Sequence, residues 1–356
     1  AQYNLGLMYR KGLGVPQDYK EAFKWYRLSA EQGVSKAQSN LGVMYEAGDG
    51  VPQDYKEAVK WYRLAADQGD VNAQYNLGQV YRKGLGVPQD YKEAFKWYRL
   101  SAEQEGAEAQ SNLGLMYMTG RGVPQDFKEA FKWIRLAAEQ GVSKAQHNLG
   151  VMYEAGDGVP QDDKEAFKWY RLAAEQGEAL AQNNIYQLAK KNIPEALQFC
   201  IQKAKQGDEK AKAILYDLAK KNIPEALQFL VKDAKDGIDE GEGVPQDDKE
   251  AVKWFRLAAE QGDAAAQLFL GVMYYKGRGV PQDYQEAVKW YRLSAEQGNA
   301  EAQLNLGLMY DFEQGVPQDY VSAHMWFNLC GSSGDKDCVS SIRHIEKRMT
   351  LSQIEE

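Results

Sequence analysis

The chain has 356 residues, of which 44% are hydrophobic and 26% charged, with a net charge of -8. That composition belongs to a folded protein, and its acidity excludes an extended nucleic-acid-binding surface, which needs a basic face. Mean hydropathy is -0.62, and no apolar run approaches the roughly 18 residues of a membrane helix, which excludes a transmembrane span. Three cysteines are too few for a disulfide-built scaffold, and three histidines (His147, His324 and His344) make a histidine-rich metal site improbable. No metal or cofactor is expected.

The chain opens on Ala1 to Arg10, read as a helix already under way, and it then repeats itself. The string VPQD begins at Val15, Val51, Val87, Val123, Val159, Val244, Val280 and Val316. The alanine of each K-E-A or P-E-A element, or its equivalent, recurs at Ala22, Ala58, Ala94, Ala130, Ala166, Ala196, Ala226, Ala251, Ala287 and Ala323. Most steps are 36 residues, and the middle of the chain holds two units of 30 and one of 25. Such a period marks stacked structural repeats.

Each full unit predicts two antiparallel helices. The first carries A-x-x-x-L-G-x-x-Y, as in Ala37, Leu41, Gly42 and Tyr45, one apolar stripe at i, i+4 and i+8. A G-x-G-V-P-Q-D loop follows. Asp18 and Glu21 have the spacing of a capping box at the start of the second helix. The stripe of that helix is Ala22, Trp25, Tyr26 and Ser29, and Gly33 stops it. One hairpin cannot cover its aromatic face alone, so stacking supplies the cover. All eight tryptophans fall in one slot, from Trp25 to Trp326, and read as core. Glycine in the first helix costs helix propensity, and close approach of a neighbouring helix is the expected reason.

In the two 30-residue units Tyr186 and Tyr216 replace that glycine, and Asn192-Ile193-Pro194-Glu195 and Asn222-Ile223-Pro224-Glu225 replace the loop. The 25-residue unit lacks room for a first helix. The organisation expected is therefore a repeat block over 1–237, an irregular Gly-rich and acidic junction over 238–246, and a second block with a terminal helix over 247–356.

These elements closely resemble the Sel1-like repeat family, relatives of tetratricopeptide repeats, over nearly the whole chain. The resemblance rests on the A-x-x-x-L-G-x-x-Y helix, the G-x-G loop and the A-x-x-W-Y-R-x-A-A-x-x-G helix. It implies an all-α, right-handed α-solenoid whose first helices line a concave face. It also implies an adaptor or scaffold that binds protein or peptide without chemistry of its own, in a family with many exported bacterial members. A periplasmic or secreted location is expected over a cytoplasmic one.

A cysteine-rich branch of the family has been associated with β-lactam binding and hydrolysis, which gives the alternative function. A serine β-lactamase needs S-x-x-K, S-D-N and K-T-G elements. Only Ser333-Gly334-Asp335-Lys336 matches the first, and the others are absent. The same branch carries a hairpin-bridging disulfide at the spacing of Cys330 and Cys338. Here those residues occupy small slots, and the alternative is two buried thiols. Cys200 reads as an inert core thiol.

Slots that vary between units mark the face for a partner. On the first helices these are Tyr3 and Arg10, Tyr75 and Arg82, Met118, His147, Leu268 and Tyr275. Beside them runs a near-constant amide: Asn4, Asn40, Asn76, Asn112, Asn148 and Asn305, with Asn184 in the first shortened unit. Such a ladder can donate to and accept from an extended peptide backbone. The competing reading is that each Asn bonds a neighbouring helix or loop.

Overall fold

The computed structural model describes residues 1–221, 223–239, 245–332, 336–350 and 353. These form twenty α-helices and no strand, in two compact units, Ala1–Ala196 and Leu197–Glu356. Consecutive helices pack in pairs within each unit, and the pairs stack into an α-solenoid.

In the first unit the helices are α1 (Gln2–Lys11), α2 (Tyr19–Glu31), α3 (Ser35–Ala47), α4 (Tyr55–Asp67), α5 (Val71–Lys83), α6 (Tyr91–Glu103), α7 (Ala107–Thr119), α8 (Phe127–Glu139), α9 (Ser143–Ala155), α10 (Asp163–Glu175) and α11 (Ala179–Lys190). Odd-numbered members are the first helices of their repeats and even-numbered members the second. The VPQD loop between α3 and α4 works at both ends. Asp54 accepts from the N–H groups of Lys56 and Glu57, satisfying two free donors at the start of α4. Gln53 Nε2 donates to Glu46 O at 2.7 Å, covering a carbonyl near the end of α3. Only half of the expected capping box forms. The N–H of Asp54 donates to Tyr45 O across the loop, and Glu57 turns outward to pair with Lys60.

The helix glycines meet the side chain that fills the second helix of the same repeat. A Cβ on Gly78 would lie 2.4 Å from Cδ1 and 2.5 Å from Cε1 of Tyr98, which is fully buried. The same relation joins Gly42 to Tyr62 and Gly150 to Tyr170. The G-x-G loop has a similar cause, because a Cβ on Gly50 would sit 2.2 Å from the Tyr19 carbonyl oxygen of the preceding repeat. The centre of these pairs is thus Ala, Leu and Tyr, with Ile134 in the tyrosine position opposite Gly114. The tryptophans, expected as core, lie mostly half-buried at its margin, with Trp61 packed on Ala30, Ala37 and Leu41.

Helix α12 (Pro194–Lys205) contains the division between the units. The second unit continues with α13 (Glu209–Lys220), α14 (Pro224–Asp239), α15 (Pro245–Glu260), α16 (Ala264–Lys276), α17 (Tyr284–Glu296), α18 (Ala300–Asp311), α19 (Tyr320–Gly331) and α20 (Lys336–Glu346). The division between the compact units thus falls at 196/197, among the shortened repeats. Of the expected irregular junction, 238–239 belong to α14 and 245–246 to α15, and 240–244 lie outside the described residues. Losing a first helix does not leave the flanking helices apart: α14 and α15 pack directly, and Trp254 of α15 meets the Tyr216 ring edge-on at 4.2 Å. A disulfide joins Cys330 of α19 to Cys338 of α20, with Cα atoms 5.8 Å apart.

Candidate functional site

A buried ladder of amides crosses the repeats, and it is built of glutamine rather than asparagine. Gln38 Nε2 donates to Ala30 O of the preceding repeat at 3.1 Å, while its Oε1 accepts from Gln68 Nε2 at 2.7 Å. Gln74 and Gln104, Gln110 and Gln140, and Gln146 and Gln176 repeat the pairing at 2.7–2.8 Å, and Gln267 and Gln297 do so in the second unit. The bond from Gln38 to Ala30 O, and those from Gln74, Gln110 and Gln146 to Ala66, Ala102 and Ala138 O, stitch each hairpin to the one before it. Each glutamine pair, 30 residues apart in sequence, joins the two helices of one hairpin. Gln38, Gln74, Gln110, Gln146 and Gln267 are buried, which leaves them no role toward a ligand.

The asparagines lie differently. In the first unit Asn4 is exposed, and Asn40, Asn76, Asn112 and Asn148 are half-buried along the first helices. Asn4, Asn76 and Asn148 make no side-chain hydrogen bond among the described residues. Asn40 Oδ1 accepts from Arg10 Nη1 at 3.4 Å, and Asn112 Nδ2 donates to Glu108 O at 3.0 Å. The neighbouring slots hold rings that lean on the tyrosine of the second helix: Tyr3 on Tyr26, Tyr75 on Tyr98 and His147 on Tyr170, with centroids 5.7–5.9 Å apart. His147 Nε2 also lies 3.4 Å from Asn184 Nδ2. Met118 packs against the cluster of Ile134 and Leu149.

One slot on this face was underrated by sequence comparison. The positions of Arg10, Glu46, Arg82, Met118 and Glu154 stand opposite Tyr26, Tyr62, Tyr98, Ile134 and Tyr170 of the second helices. Tyr62 donates its hydroxyl to Glu46 Oε2 at 2.6 Å, and Tyr170 to Glu154 Oε2 at 2.8 Å. Burial, and then the hydrogen bond to the carboxylate, push both phenols far above the usual tyrosine range. Burial also raises Tyr26 and Tyr98, with Arg10 and Arg82 respectively opposing it. The signal available beforehand was that the one apolar member, Met118, faces the one residue without a hydroxyl, Ile134.

In the second unit, Tyr275 and Asn305 are half-buried, and Tyr275 tilts against Tyr284 at 5.5 Å. Leu268 does not belong to a ligand face. It is 3% exposed and sits in the core with Ala287, Val288 and Tyr291. The slot it shares with Ser39 and Ser111 is buried there too, so variation between units at this slot reflects packing volume. Among the described residues no group of three or more His, Cys, Asp or Glu could hold a metal ion, and no described helix is long and apolar enough to cross a membrane.

The Sel1 repeat family model matches residues 1–34, 35–70, 71–105, 107–142, 143–178, 234–263, 264–299 and 300–335. The chain belongs to the Sel1 repeat family. The shortened repeats between 178 and 234 lie outside these matches. Among solved structures, a protective antigen present in uropathogenic Escherichia coli strains and displaying the SLR fold is 36% identical, with a TM-score of 0.55. The alignment covers 99% of this chain and 81% of that one. A Sel1 repeat protein from Oxalobacter formigenes is 26% identical, with 92% and 96% covered and a TM-score of 0.46. A comparison with curated proteins returns no match.

Proposed function

We propose that this Sel1 repeat protein is a non-catalytic adaptor or scaffold that binds protein or an extended peptide along its first helices. The observation that carries the reading is a division of labour within Ala1–Ala196. The buried Ala, Leu, Gly and Gln slots are near-constant from repeat to repeat, whereas the half-exposed face beside the asparagines changes from Arg10 to Glu46, Arg82, Met118 and Glu154. A fixed scaffold with a changing face is the arrangement repeat proteins use for extended partners. Asn76 and Asn148, free of internal hydrogen bonds, supply donors and acceptors at repeat spacing for a peptide backbone. A location in an oxidising compartment, periplasmic or secreted, is supported by the Cys330–Cys338 bridge.

The test is affinity capture from the native host with the intact chain, repeated with Asn76, Asn112 and Asn148 all replaced by Ala. The expected result is a partner whose retention drops with the triple variant while the helical circular dichroism is unchanged. Equal retention would remove the asparagine face from the reading. Nitrocefin turnover by the purified chain would overturn its non-catalytic part. For the β-lactam alternative, Ser333, Gly334 and Asp335 lie outside the described residues, and Lys336 opens α20.

A further inference from the structure

The repeats contain an internal template for a ligand. In the second and fifth repeats a buried tyrosine hydroxyl is satisfied by a carboxylate of the chain itself, Tyr62 by Glu46 and Tyr170 by Glu154. In the third repeat the carboxylate position holds Arg82, and the Tyr98 hydroxyl beneath it is buried beside the guanidinium with no acceptor for its proton. The Nε of Arg82 is likewise buried and without a partner. Its Nη2 donates to Gln79 Oε1 at 2.9 Å, and Gln79 Nε2 in turn donates to Tyr75 Oη at 2.6 Å. Among the described residues no carboxylate lies within ion-pair distance of Arg82.

A guanidinium can only donate, and a phenol whose oxygen meets a guanidinium has its proton free to donate as well. Two adjacent donors without an acceptor are costly in a partly buried place, and a single anion satisfies both. The first repeat shows the same pairing more weakly. Tyr26 Oη is buried without a partner beside Arg10, but Arg10 Nη1 has Asn40 Oδ1 at 3.4 Å. In the fourth repeat both positions are apolar, Met118 and Ile134. The slot therefore comes as carboxylate with phenol, guanidinium with phenol, or neither.

We infer that Arg82 and Tyr98 form a carboxylate-binding site for an acidic side chain of an extended polypeptide, held where Glu46 and Glu154 hold their own carboxylates. Arg82, Gln79 and Tyr75 are half-buried on α5, so the guanidinium is reachable from the first-helix face, with Tyr98 supplying the donor below. A carboxylate is favoured as the ligand group because the chain itself uses one in the equivalent repeats. The site rests on the peptide-binding reading above and names the class of peptide.

The test titrates the full chain with three fluorescein-labelled peptides of one Gly, Ser and Leu composition, differing only in two positions held by Glu, Gln or Lys. The expected result is Glu peptide bound at least about tenfold more tightly than Gln peptide, the factor of a charge-assisted hydrogen bond. Arg82→Gln should abolish that difference and Arg82→Lys restore part of it. Tyr98→Phe keeps the ring packing and should reduce the difference severalfold. Lys83→Gln, at a neighbouring exposed cation, should leave it unchanged. Equal binding of Glu and Gln peptides would overturn the carboxylate site while leaving peptide binding intact. An equal effect of Lys83→Gln would reduce the preference to general charge and overturn the site as well. Binding of none of the three would overturn the site together with the peptide-binding reading it rests on.

Discussion

Replacing Gly78 by alanine sets two well-known effects against each other. Helix propensity favours the substitution by about 1 kcal/mol in the interior of a helix such as α5. Packing opposes it, because the new methyl would lie 2.4, 2.5 and 2.9 Å from Cδ1, Cε1 and Cγ of Tyr98. That ring is fully buried and packed on Tyr75, so it cannot swing away. Overfilling a close-packed site costs about 1–3 kcal/mol, and three contacts this short on a rigid ring belong at the upper end. The net expectation is a loss of about 2 kcal/mol, read as a lower urea midpoint by circular dichroism. Combining Gly78→Ala with Tyr98→Leu should recover part of the loss, giving a coupling of at least about 1 kcal/mol in a double-mutant cycle. An increase in midpoint, as propensity alone dictates, would refute the reasoning.

Other consequences are checked as directly. Gln74→Ala removes both the 2.8 Å bond from Gln104 and the 3.3 Å bond to Ala66 O, so amide hydrogen exchange should accelerate at the α4–α5 boundary, with about 1–2 kcal/mol lost. Burial pushes the Cys200 thiol up to about 12. The native protein should therefore resist iodoacetamide at pH 8 until denatured. Because the folded pKa exceeds the unfolded value near ~8.5, the associated stability is present below ~8.5 and is lost as pH rises from there toward 12. The Cys330–Cys338 bridge should appear as a linked peptide in non-reduced mass spectrometry. Its reduction should loosen α20 first, since closing so short a loop restricts the unfolded chain by about 2.5 kcal/mol.

The helix pairs, their boundaries and the Ala, Leu and Gly slots were legible because each rests on periodicity within one hairpin. Contacts between hairpins were not. Asn40 and Gln38 are both recurrent amides two residues apart on one helix, and periodicity alone does not say which of them turns inward. The longer glutamine reaches Ala30 of the preceding repeat, while asparagine stays on the open side. Leu268 misled for a related reason: variation between repeats marks either a ligand face or a change in packing volume, and burial alone separates the two. The rank of the aromatics was also hidden. Trp and Tyr adjoin in sequence, yet Tyr62 is fully buried while Trp61 keeps to the margin, because only the tyrosine points at the helix glycine.

The glutamine stitch makes every full hairpin interchangeable with every other. Gln38 to Ala30 O and Gln74 to Ala66 O are the same joint made from the same residues, as are Gln110 to Ala102 O and Gln146 to Ala138 O. Removing or duplicating 36 residues at any point in this run therefore recreates a joint that already exists. Array length can change by unequal crossover with no new surface to invent. A loss of any other size, as in the shortened repeats, forces unlike helices such as α14 and α15 to find a joint of their own.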